Sequence, residues 1–143
     1  MSIMHENFTH KIKVYYEDTD SGGVVYYANY LKFLERARTE ALASFGFSNK
    51  KVKNDFGALI IVKSCNIDYK KPAYLEDELN IRSFIKSITK TSFSMNQFIT
   101  KKKETIVEAK VHLVFTNAEG KPIKIPDTLF HNFKPYFCDT IKI

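Results

Sequence analysis

One stretch of helical periodicity, followed by four strand-like runs whose connections are too short to hold a crossover helix, constrains this chain most. From about Tyr27 to Phe45 apolar residues recur every three to four positions: Leu31, Leu34, Ala37 or Arg38, Ala41, Leu42 and Phe45. That spacing predicts an amphipathic helix, and Gly46 stands where a left-handed cap would close it. Its outer face sets Glu35 against Arg38 and Arg36 against Glu40, which reads as surface pairs at helical spacing. Ahead of it, Phe8–Glu17 alternates as a strand, with Phe8, Ile12, Val14 and Tyr16 on one face.

Beyond a polar connection, Ser48–Asp55, strands are predicted over Ala58–Lys70, Leu79–Thr89, Ser92–Thr100 and Glu104–Phe115. In the last, Val107, Ala109, Val111, Leu113 and Phe115 share one side while Glu108, Lys110 and His112 take the other. Cys65 shares a face with Ile67 and reads as a small buried hydrophobe. Asn117–Gly120 has turn chemistry, and the proline-containing tail from about residue 118 is expected to be irregular. The pattern is α+β, with a mainly antiparallel sheet because the connections are short. One helix covers only one sheet face, so a homo-oligomer is expected.

Composition then narrows the class. The chain has 143 residues, fitting one domain over 1–143. Its 44% apolar and 27% charged residues exclude a disordered or collagen-like chain. The longest aliphatic run, Ala58–Val62, falls far short of the ~20 residues a membrane span needs, so no transmembrane segment is expected. Met1–Lys13 shows no signal-peptide core, and two cysteines without CxxC spacing are no disulfide framework. These point to a reduced, cytoplasmic setting. His5, His10, His112 and His131 are scattered and lack metal-ligand spacing, so neither metal nor cofactor is expected. The net charge of +6 concentrates at Lys50, Lys51 and Lys53 and at Lys101–Lys103. Such clusters are either solvated loop tips or a surface for an anionic partner. No nucleic-acid motif accompanies them, so no nucleic-acid partner is expected.

Acid chemistry and special backbone meet at one place, Glu17-Asp18-Thr19-Asp20-Ser21-Gly22-Gly23, just before the helix. A helix N-terminus offers unpaired N–H groups and partial positive charge, and glycines let a carbonyl approach the backbone closely. Amides so placed can stabilise the oxyanion of an acyl-transfer reaction. A carboxylate a few residues upstream can attack the carbonyl or activate water. Asp20, directly before the glycine pair, is better placed for this than Asp18. The alternative is that both aspartates only bind local amides as turn residues.

VYYEDTDSGGVVYYANYLKFLERARTE (Val14–Glu40) resembles the active-site segment of the 4-hydroxybenzoyl-CoA thioesterase hotdog family. The likeness is nearest the branch of acyl-CoA thioesterases associated with the Tol–Pal envelope system. It continues through IVKSCNIDYKKPAYLEDEL (Ile61–Leu79) and covers roughly four-fifths of the chain. The resemblance implies a hotdog fold, a long central helix wrapped by a five-stranded sheet, that hydrolyses acyl-CoA to free acid and CoA. It implies Asp20 as nucleophile or general base, the Tyr27 amide as oxyanion donor and Gly23 as the residue shaping the turn. Val62, Lys63 and Ser64 match a strand facing the neighbouring subunit's site. Lys90, Lys86 or Lys101–Lys103 are candidates for the CoA phosphates. It also implies a dimer or dimer-of-dimers homotetramer, with an envelope complex or an acyl carrier as further partners. Position 27, often His in this branch, is Tyr27, so a backbone donor survives there but an imidazole does not. The reading from another class is a non-catalytic acyl-CoA-binding module or an envelope-complex scaffold.

Overall fold

The segments of period two fold as five strands of one antiparallel sheet, in the order β1-β3-β4-β5-β2. The computed structural model describes residues 7–138; His5 lies outside them. The strands are β1 (Phe8–Lys13), β2 (Leu59–Tyr69), β3 (Glu78–Ile88), β4 (Ser92–Lys101) and β5 (Glu104–Thr116). Helix α1 (Asn29–Ala43) lies across β1 and β3 and presents Tyr30, Phe33, Leu34, Ala37, Ala41 and Leu42 to the sheet. Burying a side chain such as Phe33 or Leu34 contributes about 1.5–3 kcal/mol. The inner sheet face answers with Leu79, Ile81 and Ile85 of β3, Phe93, Met95 and Ile99 of β4, and the five alternating residues of β5. This is the α+β architecture that the periodicities predict.

Several details depart from expectation. The first strand stops at Lys13, because Asp18 Oδ2 accepts the Tyr15 N–H at 2.9 Å and turns the chain into a 3₁₀ segment, Tyr16–Asp18. Tyr16, expected on the buried face, is 79% exposed. The polar connection contains a helix, α2 (Asn49–Phe56), which buries only Val52 and so shows no periodicity. Ser48 Oγ accepts the Lys51 N–H at 3.0 Å to start it, and Gly57, at φ 64°, ends it. The tail folds into α3 (Asp127–Phe133), with Ile125, Leu129 and Phe133 buried at four-residue spacing. Pro126 stands just before its first turn, where a missing N–H costs nothing.

β2 is an edge strand, and α1 does not reach fully over it. Val62, Cys65 and Tyr69 sit opposite the inward residues Leu113, Val111 and Val107 of β5, yet all three are exposed. Cys65 is therefore not the buried hydrophobe expected from its alternation. Leu31 of α1, placed in the core by period, is 47% exposed.

Candidate active site

Between the 3₁₀ segment and α1 the chain makes a tight two-stranded turn, with Thr19 bridged to Val25. Asp20 N donates to Val24 O at 2.9 Å and Tyr26 N to Asp18 O at 3.0 Å. Gly23 closes the turn at φ 81°, a left-handed conformation that side chains resist. Its carbonyl accepts the Leu75 N–H at 3.3 Å, and Val24 is bridged to Tyr74. Asp18 is buried, capping Tyr15 with its carboxylate and holding Asn29 Nδ2 on its carbonyl at 2.8 Å. The division of labour is thus structural for Asp18.

Asp20 is exposed in the protomer, and its Oδ1 accepts the Gly22 N–H at 2.8 Å. That bond is the local turn contact expected under the alternative reading. Asp20 Oδ2 has no hydrogen-bond partner among the described residues. A Cβ on Gly22 would stand 3.3 Å from Asp20 Oδ1, so the bare glycine is what leaves this carboxylate its position.

α1 opens on short-range bonds: Asn29 N to Tyr26 O at 2.8 Å, Tyr30 N to Tyr27 O at 3.3 Å and Leu31 N to Ala28 O at 3.2 Å. Among the described residues, nothing accepts from the amides of Tyr27 and Ala28. Two N–H groups therefore stand open at the positive end of the longest helix, on the far strand of the turn that carries Asp20. A carbonyl oxygen seated there would meet fixed donors as charge develops on it.

Tyrosines frame this end. Tyr27 packs on Tyr26 at 4.9 Å and edge-on to Tyr69 at 6.1 Å, and the Tyr69 hydroxyl donates to Tyr27 O at 3.3 Å. The hydrogen bond that the Tyr26 hydroxyl donates to Tyr27, and the nearby Tyr27 phenol, raise the Tyr26 pKa. Burial raises that of Tyr30, against the opposing hydrogen bond from Ala73 N. Both phenols are therefore neutral at pH 7.

Of the other residues singled out by sequence, Val62, Lys63 and Ser64 are exposed on β2, where a register shift falls between Val62 and Ser64. Within one protomer Lys90 is not beside Asp20. It sits in the β3–β4 turn, while the Asp20 turn touches Tyr74, which packs against Lys101 at the other end of β4. Ten residues of strand separate them, on the order of 30 Å.

Arg38 is not the surface partner of Glu35. Its Nη1 donates to Oε1 of Gln97 at 3.0 Å, and Glu35 instead accepts from Thr39 Oγ1 at 3.2 Å. Burial pulls the Arg38 pKa down, with Cys65 and Glu35 opposing; partial desolvation raises the thiol of the otherwise exposed Cys65, with Arg38 opposing. Gln97 is fully buried and spends its Nε2 on Leu34 O and Ser83 Oγ, both at 3.0 Å. Sequence reasoning passed over it, though an amide in the inward series Phe93, Met95, Gln97, Ile99 was the available signal. Arg38 also lines an otherwise largely apolar cavity of about 140 Å³ between α1 and the sheet, with Phe93, Met95 and Val62.

Comparison with known proteins places this geometry in a family. Residues 14–133 match the model of the thioesterase-like superfamily. The chain is 39% identical to the acyl-CoA thioester hydrolase YbgC of Escherichia coli over 129 residues, covering 89% of this chain and 96% of that protein. It is 32% identical to the acyl-CoA thioesterase YbgC of Haemophilus influenzae over 136 residues, 92% of this chain and 100% of the other. The crystal structure of a probable thioesterase from Bartonella henselae superposes with a TM-score of 0.82 at 34% identity, covering 85% of this chain and 100% of that one.

Proposed function

The chain belongs to the thioesterase-like superfamily and has its hotdog fold, and we propose that it is an acyl-CoA thioester hydrolase releasing free acid and CoA. The observation that carries this is the pair of open amides, Tyr27 and Ala28, held one short turn away from the Asp20 carboxylate. In this reading the thioester oxygen takes the Tyr27 N–H, with Gly23 fixing the turn. Asp20 either attacks the carbonyl carbon or removes a proton from the attacking water. The C–S bond then breaks and CoA leaves as thiolate; where Asp20 was the nucleophile, water next cleaves the acyl–aspartyl anhydride, and in both routes the free acid departs and Asp20 is regenerated.

An active unit of two protomers is part of the proposal, since Asp20 is exposed in one. The eleven-residue edge strand β2 supports it, with unpaired backbone groups and exposed Ile61, Val62 and Tyr69. A partner there would cover Val62, Lys63 and Ser64 and bring its own Lys90 toward the site; a dimer of dimers is the larger form. No described helix is long and apolar enough to cross a membrane. We place the protein in the cytoplasm, with an envelope complex of the Tol–Pal type or an acyl carrier as partner. The whole of 1–143 is taken as one domain. Light scattering tests the assembly, and a stable monomer refutes it.

The Asp20–Gly22 bond favours one second reading, a non-catalytic acyl-CoA-binding module in which Asp20 only holds a turn. A thiol-release assay across acyl-CoAs from acetyl to palmitoyl separates the two. The hydrolase liberates CoA from at least one; saturable binding with no thiol above the buffer blank makes it a binding module.

A further inference from the structure

Arg38 is a half-buried cation without an anion. Its guanidinium carries five N–H donors, and the one hydrogen bond it makes among the described residues runs from Nη1 to the neutral Gln97 Oε1. It forms no ion pair with them either. Glu35, one turn back on α1, gives its carboxylate to Thr39 Oγ1 instead. Nε and Nη2 therefore lack partners, yet they are not sealed into protein. Among the described residues, Thr116 Oγ1 is the single buried side-chain oxygen or nitrogen left unpaired. The Arg38 donors thus reach open space, and the space that Arg38 lines is the cavity of about 140 Å³.

Gln97 holds this arrangement in place. Its Nε2 hydrogens are spent on Leu34 O and Ser83 Oγ, so the amide cannot flip without losing both bonds, and Oε1 stays aimed at Nη1. Phe93, Met95, Leu113 and Phe133 give the cavity an apolar wall, and the exposed Glu35 and Asn49 stand at its rim. Its volume is close to that of an apolar cavity of about 150 Å³ that admits one benzene ring. A charge partly withdrawn from water and left uncompensated is costly, yet a fully buried amide fixes this one where it cannot simply swing to a carboxylate. An apolar chamber with one oriented polar group is the usual form of a small-molecule site.

We propose that this cavity binds an organic carboxylate with a compact apolar body, the carboxylate on the free donors of Arg38 and the body against Phe93 and Met95. A guanidinium fork matches a carboxylate with two parallel, charge-assisted hydrogen bonds, which a neutral ligand cannot reproduce. Within one protomer the site is separate from the Asp20 turn, since Arg38 lies ten residues beyond the open Ala28 amide, about 15 Å along α1. It goes beyond the hydrolase reading and does not depend on it. The carboxylate has two sources, a free acid or the far end of an acyl chain that is itself carboxylated.

Met95 is the one methionine among the described residues, and it lines the cavity, so its isotope-labelled methyl signal in NMR reports occupancy. Benzoate should move that signal saturably, while benzyl alcohol, neutral and of similar size, should bind about tenfold more weakly. In Arg38→Met the two ligands should become equivalent, with circular dichroism checking the fold. A wild-type Met95 signal that benzoate leaves unmoved, or equal affinity of the wild type for the two ligands, overturns the proposal whether or not the variant folds. An undiminished preference for benzoate in folded Arg38→Met overturns it as well. The source is read by competing glutaryl-CoA and butyryl-CoA against benzoate on Asp20→Asn, which keeps the esters intact. Displacement by glutaryl-CoA alone assigns the site to a carboxylated acyl end, and displacement by neither assigns it to a free acid. Displacement by both overturns the proposal, because the cavity then takes an acyl chain regardless of charge. None of these readouts needs thioester cleavage, so a chain that releases no CoA in any assay can still carry this site.

Discussion

Arg38 Nη1 donates to Oε1 of Gln97 at 3.0 Å, and that amide is wholly shielded from solvent. Three groups depend on Gln97: the guanidinium, the Ser83 hydroxyl and the Leu34 carbonyl. Gln97→Leu fills the same space and abandons all of them. An unpaired buried polar group costs about 1–3 kcal/mol, and a charged one more. The variant should lose about 2–4 kcal/mol in urea unfolding. A loss below half a kcal/mol would mean that Arg38 finds another partner at no cost.

Asp20→Asn preserves the Oδ1 acceptor for Gly22 N, so fold and assembly should match the wild type by circular dichroism and light scattering. Its rate of acyl-CoA hydrolysis should fall at least ~100-fold, the usual reach of a positioned acid or base. Near-normal turnover in this variant would strip Asp20 of its assigned role.

The two glycines of the turn should respond differently. Gly23→Ala meets no neighbour within 4 Å and is penalised only through its φ of 81°; about 1 kcal/mol of stability should go. Gly22→Ala puts a methyl group 3.3 Å from Asp20 Oδ1. It should leave the unfolding midpoint nearly unchanged and lower turnover. Equal effects of both changes on stability and rate would contradict this division.

Burial works to raise the Asp77 carboxyl, but hydrogen bonds from Lys101 Nζ and Tyr74 N, with the charges of Lys101 and Lys102, outweigh it, so its pKa lies below 3.8. A carboxyl depressed by folding adds stability that is present above its unfolded value and lost as pH falls through the folded one. Acid titration of unfolding free energy should therefore drop more steeply below pH 3.8 in the wild type than in Asp77→Asn. Parallel curves would show that the ion pair is screened to insignificance.

The element types were readable from the chain because α1 and β5 each bury one face, and burial writes a period into the residues that face it. The glycine-bearing turn before α1 was readable too, since two adjacent glycines after an aspartate are a local signal. α2 escaped because it buries a single side chain, Val52, and α3 because Pro126 looked like a breaker rather than a helix start.

What sequence decided by itself was thus local: the α+β order, the turn carrying Asp20, and the helix beginning at its far side. Tertiary structure decided what depends on distant segments meeting. Alternation assigns Cys65 and Arg38 to faces, but only the order β1-β3-β4-β5-β2 leaves Cys65 on an uncovered edge and sets Arg38 against Gln97, 59 residues away. The same topology puts Lys101 of the β4–β5 hairpin beside Tyr74 and Lys90 of the preceding hairpin at the opposite end of β4. A period records which face is dry; it carries no record of which strand lies alongside.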